Sequence, residues 1–297
     1  MSTTDVLNLV VSAVLLAGVY AAMSVGMTII YGVMKIVNLA HAGFLMLGAY
    51  FVFELYTRLH IDPLLGVLLA FPVFYFIGFA LHWLMVRRIP RSDQPTLTSL
   101  LLLFGLWLVL QNLGYLIWGS ADRAILTPRT FSTFQIGPII FPTVRLVVFG
   151  AAVVSLVALE LVLNRTWFGR SVRALMQNSD AGRIAGVNVD RTARVAFGVG
   201  IAFAGAAGGL LSMMYSFTPD FGGSFLLRAF VIIVLGGLES FSGVAIGALV
   251  LALVETFSIL VIPSGYQPAI SFSLLVLALV LLPDGVAGLW NKRQRLT

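Results

Sequence analysis

Four carboxylates lie within or at the edge of long apolar runs: Glu54, Glu160, Glu239 and Glu255. Placing such a group at the centre of a bilayer costs roughly 2.5–3.5 kcal/mol on insertion scales, so an intramembrane acid is by default a functional candidate: a proton site, the partner of a buried cation, or the lining of a polar path. Glu160 is close to the inner end of its run and can snorkel, and Glu54 is a turn from the outer end of its own. Glu239 follows Gly236 and Gly237 in a helix break, where it can cap freed backbone donors or face water; Glu255 is mid-run. These two are the better candidates for a polar path, with a structural pairing to Arg228 as the plainer alternative. Asn38 and His41 form a polar i, i+3 pair just after Lys35, flanked by Gly32 and Gly43. They can line a gate or simply bond the backbone at a helix break, since imidazole bonds at both nitrogens.

Other chemistries are excluded by residue type. Histidine occurs only at positions 41, 60 and 82 and cysteine not at all, so no HExxH zinc motif, disulfide or thiol nucleophile exists. A phosphate-binding GxxxxGK[ST] loop needs Lys followed by Ser or Thr, whereas Lys35 precedes Ile36 and Lys292 precedes Arg293. If ATP drives this chain, the ATPase is a separate polypeptide, and no cofactor is expected on this one.

The elements that must position the candidates are membrane helices. Of 297 residues 60% are apolar and 10% charged, with a mean hydropathy of +1.02, whereas a soluble domain carries about 25% charged residues. The expected fold is all-α, a polytopic transmembrane bundle of eight or nine spans in a single domain over residues 1–297. Apolar windows fall at Val6–Ile30, Phe44–Leu59, Leu64–Met85, Leu97–Trp118, Val144–Leu163, Val195–Tyr215, Leu226–Leu238, Val244–Ile262 and Ile270–Leu282. The Leu226–Leu238 window is short and reads as a broken or re-entrant helix. With no Lys or Arg before Lys35, the first window lacks the basic flank of a cleaved signal and reads as a permanent span.

The net charge of +6 follows from topology and calls for no nucleic acid. Lys35, Arg87, Arg88 and Arg91, then Arg165, Arg170, Arg173, Arg183, Arg191 and Arg194, then Lys292, Arg293 and Arg295 fall between or after alternate windows. Positive loops stay in the cytoplasm, so the N-terminus is expected outside, the C-terminus inside, loop 165–194 inside and loop 119–143 outside. Arg58, Arg123, Arg129, Arg145 and Arg228 do not belong to those loops. Trp83, Trp118, Trp167 and Trp290 fall near span ends, as interfacial tryptophans do. The Pro- and Thr-rich outer loop reads as an ordered cap, and Gly205/Gly209 and Gly243/Gly247 keep the GxxxG spacing of closely packed helices.

Loop Gly169–Arg191 is polar yet patterned. Val172, Leu175 and Met176, and then Ala181, Ile184 and Ala185, recur at helical spacing. Asn178 or Ser179 can cap a second short helix with Asp180 in its first turn and Gly186 at its end. Two small apolar faces rimmed by Arg suit either docking on a cytoplasmic partner or lying on anionic lipid.

Four stretches, Gly18–Tyr50, Gly169–Arg191, Leu235–Glu255 and LLPDGVAGL at Leu281–Leu289, together resemble the inner-membrane permease subunits of ABC importers for branched-chain amino acids, the shorter of two paralogous types. The Asn38-Leu39-Ala40-His41-Ala42 run is similar to that family's Asn-Phe-Ala-His-Gly signature, with Gly43 one place late. The resemblance implies a bacterial inner-membrane importer subunit. Gly169, Arg173, Ala174, Asp180, Ala181 and Gly186 would then lie in the segment that couples it to an ATPase. Its implied partners are a second paralogous permease, two cytoplasmic P-loop ATPases that use the ATP, and an extracytoplasmic solute-binding protein. Asn38, His41, Glu239 and Glu255 are candidates for the translocation path. Similar permeases for urea or short amides, and a proton-coupled carrier using Glu239 or Glu255, are the alternative expectations.

Overall fold

The computed structural model describes residues 3–91 and 94–282, together with 285, 286 and 288. Trp290, Lys292, Arg293, Arg295 and part of the Leu281–Leu289 stretch lie outside the described residues. The chain is an all-α bundle. Helix α1 (Thr3–Met34) is followed by α2 (His41–Leu59), α3 (Pro63–Leu84) and α4 (Pro95–Trp118). After a loop come α5 (Thr143–Arg165), two short helices α6 (Trp167–Gln177) and α7 (Ser179–Ile184), and then α8 (Val189–Ser212), α9 (Phe221–Gly236), α10 (Phe241–Ser258) and α11 (Gln267–Leu281).

Among the described residues six helices are long and apolar enough to cross a membrane: α1, α3 continued to Ile89, α4, α5, α8 and α10. The expected eight or nine spans would also need α2, which carries Glu54 and Arg58, and the shorter α9 and α11, of 16 and 15 residues. The expected break in the Leu226–Leu238 window falls at its end. Helix α9 begins five residues earlier and runs unbroken to Gly236, and Gly237, at φ +102°, stops it.

Local sequence explains the helix starts. Asp62 accepts a hydrogen bond from the Leu64 amide with Pro63 in the first turn of α3, Asn188 caps α8 through the Arg191 amide, and Ser240 caps α10 through the Gly243 amide. Lys35 ends α1 in the left-handed region at φ 55°, its amide bonded to Tyr31 O. The chain then doubles back, bringing His41 level with Met23 in the middle of α1.

Helix α8 is the centre of the bundle, almost wholly buried against α1, α2 and α3. Its contacts are made at glycines. A Cβ on Gly48 of α2 would stand 1.9 Å from Gly205 O, and one on Gly208 of α8 would stand 1.9 Å from Leu45 O. The pairing of α9 with α10 repeats the device, since a Cβ on Gly243 would be 2.0 Å from Gly236 O. With no hydrophobic driving force between helices in lipid, such close backbone approach supplies the dispersion contact that holds them. Gly48→Ala is therefore expected to lower stability by about 1–3 kcal/mol through overpacking against backbone that has no rotamer to yield. Thermal unfolding of the detergent-solubilised chain, compared with an alanine at Gly150, which has open space around it, measures this.

Loop 119–143 carries secondary structure of its own, as the expected ordered cap would. After a 3-10 turn at Pro128–Thr130, strands β1 (Thr133–Ile136) and β2 (Ile139–Pro142) pair antiparallel, Thr133 opposite Pro142, about a turn with Gly137 at φ +56°. Asn8 near the start of α1 fastens the hairpin, accepting from the Ile140 amide at 2.9 Å and donating to Pro138 O. At the other end of α1, Gly32 meets the Met176 side chain of α6. The 24 residues between Asn8 and Gly32 span about 36 Å of helix, slightly more than a bilayer's hydrocarbon core. The hairpin and the Arg-rich short helices thus sit at opposite ends of the bundle.

Candidate functional site

Two clefts open at those opposite ends, and each contains one of the two stronger carboxylate candidates. The cleft at the hairpin end has a volume of about 610 Å³ and is walled by α1 from Leu9 to Tyr20, the Tyr215–Thr218 loop, α9 and α10. Glu255 lies at its floor, buried, and accepts from three donors: Arg228 Nε at 2.8 Å, Tyr20 hydroxyl at 2.6 Å and Ser271 hydroxyl at 2.6 Å. The ion pair joins α9 to α10 with side-chain exposures of 12% and 2%. A charge so desolvated persists only when paired and hydrogen-bonded, so the pairing with Arg228 named from sequence is realised here. Arg145, at the start of α5, also lines the cleft and is half-buried. Burial pushes the Tyr215 phenol above its ordinary pKa, against the opposing fields of Arg145 and Arg228, so its hydroxyl keeps its proton.

The second cleft, of about 1070 Å³, lies between α1, α5, α6 and the start of α10 at the Arg-rich end. Glu239 lines it and forms an ion pair with Lys35, which links the end of α1 to the turn between α9 and α10. Both partners are about half exposed, 47% and 46%, so the pair contributes on the order of 0–1 kcal/mol. Glu160 also lines this cleft, bonded to Asn164, while Glu54 sits at the hairpin end with Arg58 and the Trp118 indole N–H as partners.

Asn38 and His41 reach neither cleft's lining. Both are fully buried. His41 Nε2 donates to Met23 O at 2.8 Å, while His41 Nδ1 and both polar atoms of the Asn38 amide have no hydrogen-bond partner among the described residues. The Asn38 carbonyl accepts the His41 amide at 3.3 Å, so this signature closes the turn that leads into α2.

The loop at the Arg-rich end folds as two helices. Thr166 caps α6 through the Gly169 amide, Asn178 caps α7 by accepting from the Asp180 and Ala181 amides, and Gly186 follows at φ +86°. Two of the residues singled out serve the corner between α5 and α6. A Cβ on Gly169 would meet Leu163 O at 1.8 Å, and Arg173 donates to Leu163 O at 2.5 Å and Asn164 Oδ1 at 2.9 Å. The expected apolar face of α6 is turned inward, with Val172 and Leu175 buried. What remains outside is α7: Asp180, Ala181 and Gly186 are exposed, Ile184 is 89% exposed, and Trp167 stands outside α6 at 79%, stacked under Arg170. Ala174 is half-buried between the two groups.

Residues 9–282 match the family described as "Branched-chain amino acid transport system / permease component". The chain belongs to this permease family. It is 29% identical over 290 residues to the high-affinity branched-chain amino acid transport system permease protein LivH of Escherichia coli K12, covering 93% of this chain and 94% of that protein. It is 28% identical over 295 residues to BraD of Pseudomonas aeruginosa, covering 95% of each. A more distant match, 30% identical over 236 residues, is the autoinducer 2 import system permease protein LsrC of Yersinia enterocolitica, covering 76% of this chain and 61% of that protein. No solved structure matches the chain.

Several polar groups that line the permease's hairpin-end cleft or, like Ser271, bond its Glu255 are not singled out as site residues by sequence reasoning. Tyr20 and Ser271 lie in unremarkable apolar runs, and nothing in those runs distinguishes them. Arg145 does have a signal, because it is one of the five arginines outside the positive loops. All five lie at the hairpin end, and four are held: Arg58 by Glu54, Arg129 by Asp62, Arg228 by Glu255, and Arg123 by the Trp118 carbonyl. Arg145 alone of them is hydrogen-bonded to no described residue.

Proposed function

We propose that this permease is the membrane-spanning subunit of an ATP-driven importer for branched-chain amino acids. It pairs with a second similar permease and takes its solute from an extracytoplasmic binding protein, while two cytoplasmic ATPases supply the energy. The observation that carries the reading is the match over residues 9–282 to a branched-chain amino acid permease family. The chain has no GK[ST] phosphate loop, so ATP binds elsewhere. Charge supports an orientation with the hairpin outside: Lys35 and Arg87, Arg88, Arg165, Arg170, Arg173, Arg183, Arg191 and Arg194 gather at the opposite end, where positive loops face the cytoplasm. Counting α2, α9 and α11, nine of the described helices then alternate between the two faces, from α1 starting outside to α11 ending inside.

In the mechanism, α7 moves with the ATPase and the α5–α6 corner passes that motion to the bundle. Closure of the ATPases opens the outer cleft toward the loaded binding protein, and relaxation opens the inner cleft past Glu239. Asn38 and His41 act at the turn about which α2 shifts against α1. A proton-coupled carrier is the weaker reading, because Glu255 is held by three donors and Glu239 by Lys35.

The test is a mild-detergent pull-down of the tagged chain from its native membrane, with the ATPase activity of the recovered assembly assayed with leucine, isoleucine or valine plus binding protein. Co-purification of a P-loop ATPase and a second permease, with turnover raised by loaded binding protein, is the expected result. Recovery of the chain alone, with proton-driven uptake after reconstitution, would overturn the reading.

A further inference from the structure

We infer that the outer cleft is a transit site for an α-amino acid with an apolar side chain, and that the half-buried Arg145 is the anchor for its carboxylate. The inference deepens the importer reading and rests on it. The cleft's volume, about 610 Å³, lies within the range of small-molecule sites, roughly 300–1,000 Å³. Its lining has the three regions that such a solute requires.

The first is an uncommitted cation. Glu255 already neutralises Arg228, and both its oxygens are engaged, one by Arg228 and Ser271 and the other by Tyr20. Arg228 Nη1 is further tied to Ser224 O at 3.2 Å. Arg145 has no such partner, and its field and that of Arg228 both reach Tyr215, whose protonated hydroxyl also faces the cleft. A guanidinium without a carboxylate, partly withdrawn from water, is positioned for a bidentate carboxylate from a ligand.

The second region is acidic. Asp122 and Asp220 line the same cleft. Asp220 accepts from Gln111 and Tyr115, which fix its orientation, and Asp122 has no hydrogen bond to a described residue. Asp122 is therefore the group for the ammonium. The third region is apolar: Leu16, Phe221, Phe225 and Ile259 contribute the surface for an aliphatic side chain. Because the fixed Arg228–Glu255 pair closes the floor, the solute rests above it until the α9–α10 pair moves.

The experiment uses L-photo-leucine, the diazirine analogue of leucine, irradiated with the tagged chain reconstituted in nanodiscs with whatever chains it retains and without binding protein. Labelled positions are mapped by mass spectrometry. Labelling is expected on residues 9–20 and 215–228, competed by L-leucine and, because leucinamide lacks the carboxylate, roughly tenfold less well by leucinamide. Arg145→Gln is expected to reduce it about tenfold and Arg145→Lys, which keeps a point charge, to restore part. Undiminished labelling in Arg145→Gln, equal competition by leucinamide, or labels confined to other surfaces would overturn the assignment. Retention of the partner chains by both variants verifies folding. The importer reading is judged separately by the ATPase pull-down, so a failure of one is distinguishable from a failure of the other.

Discussion

Arg228→Met is expected to cost the bundle about 3–5 kcal/mol and to deplete the membrane of folded protein, because it leaves Glu255 buried without its cation. The carboxylate would keep only the Tyr20 and Ser271 hydroxyls, and its side chain is 2% exposed. Adding Glu255→Gln to Arg228→Met should recover most of the loss. Glutamine carries no charge, yet its carbonyl oxygen still accepts from Tyr20, and Ser271 has Gln267 O at 3.1 Å as a second acceptor. Unfolding temperature in detergent measures the single and double variants. Equal destabilisation by both would show that the position, not the unpaired charge, matters. The double variant also removes the fixed floor of the hairpin-end cleft, so restored stability without restored uptake would assign the pair a role in transport beyond holding α9 to α10.

That pair illustrates what could be read in the sequence and what could not. Two charges in apolar runs are visible in any hydropathy reading, and the cost of an isolated charge there offers Arg228 as a partner for either Glu239 or Glu255 without saying which. In the fold Glu239 takes Lys35 and Glu255 takes Arg228. Their depth, and the company of Tyr20 from α1 and Ser271 from α11, depend on how four helices meet, which a uniformly apolar helix does not encode. Capping is local, so Asp180 and Gly186 marked the limits of α7, and of the two cap candidates Asn178 takes the role while Ser179 is the first helical residue. Helix length proved harder: α9 begins at Phe221, before its hydrophobic window, because Gly222 and Gly223 are tolerated where they pack against Ala42 O and Trp107. Helical spacing identified Val172 and Leu175 as one face but not what that face covers. In the fold it covers the permease's own bundle, so the surface left for a partner is smaller than the pattern implied.

On that smaller surface, Ile184→Glu is expected to lower co-purification of the ATPase by roughly 30-fold, the effect of losing a 2 kcal/mol apolar anchor at an interface. The side chain is 89% exposed on α7, so the same change should leave the stability of the permease within about 0.5 kcal/mol. Gly169→Ala provides the contrast. Its Cβ would strike Leu163 O at 1.8 Å, and the α5–α6 corner that Arg173 also braces would have to open. That variant should lose the ATPase through misplacement of α6 and α7, and its unfolding temperature should fall as well. Quantifying retained ATPase alongside the unfolding temperature therefore separates a residue that touches the partner from one that positions the segment. Full retention of the ATPase by Ile184→Glu would remove α7 from the docking surface. Trp167 and Arg170, stacked on the outer side of α6, would then become the exposed group to which the coupling role passes.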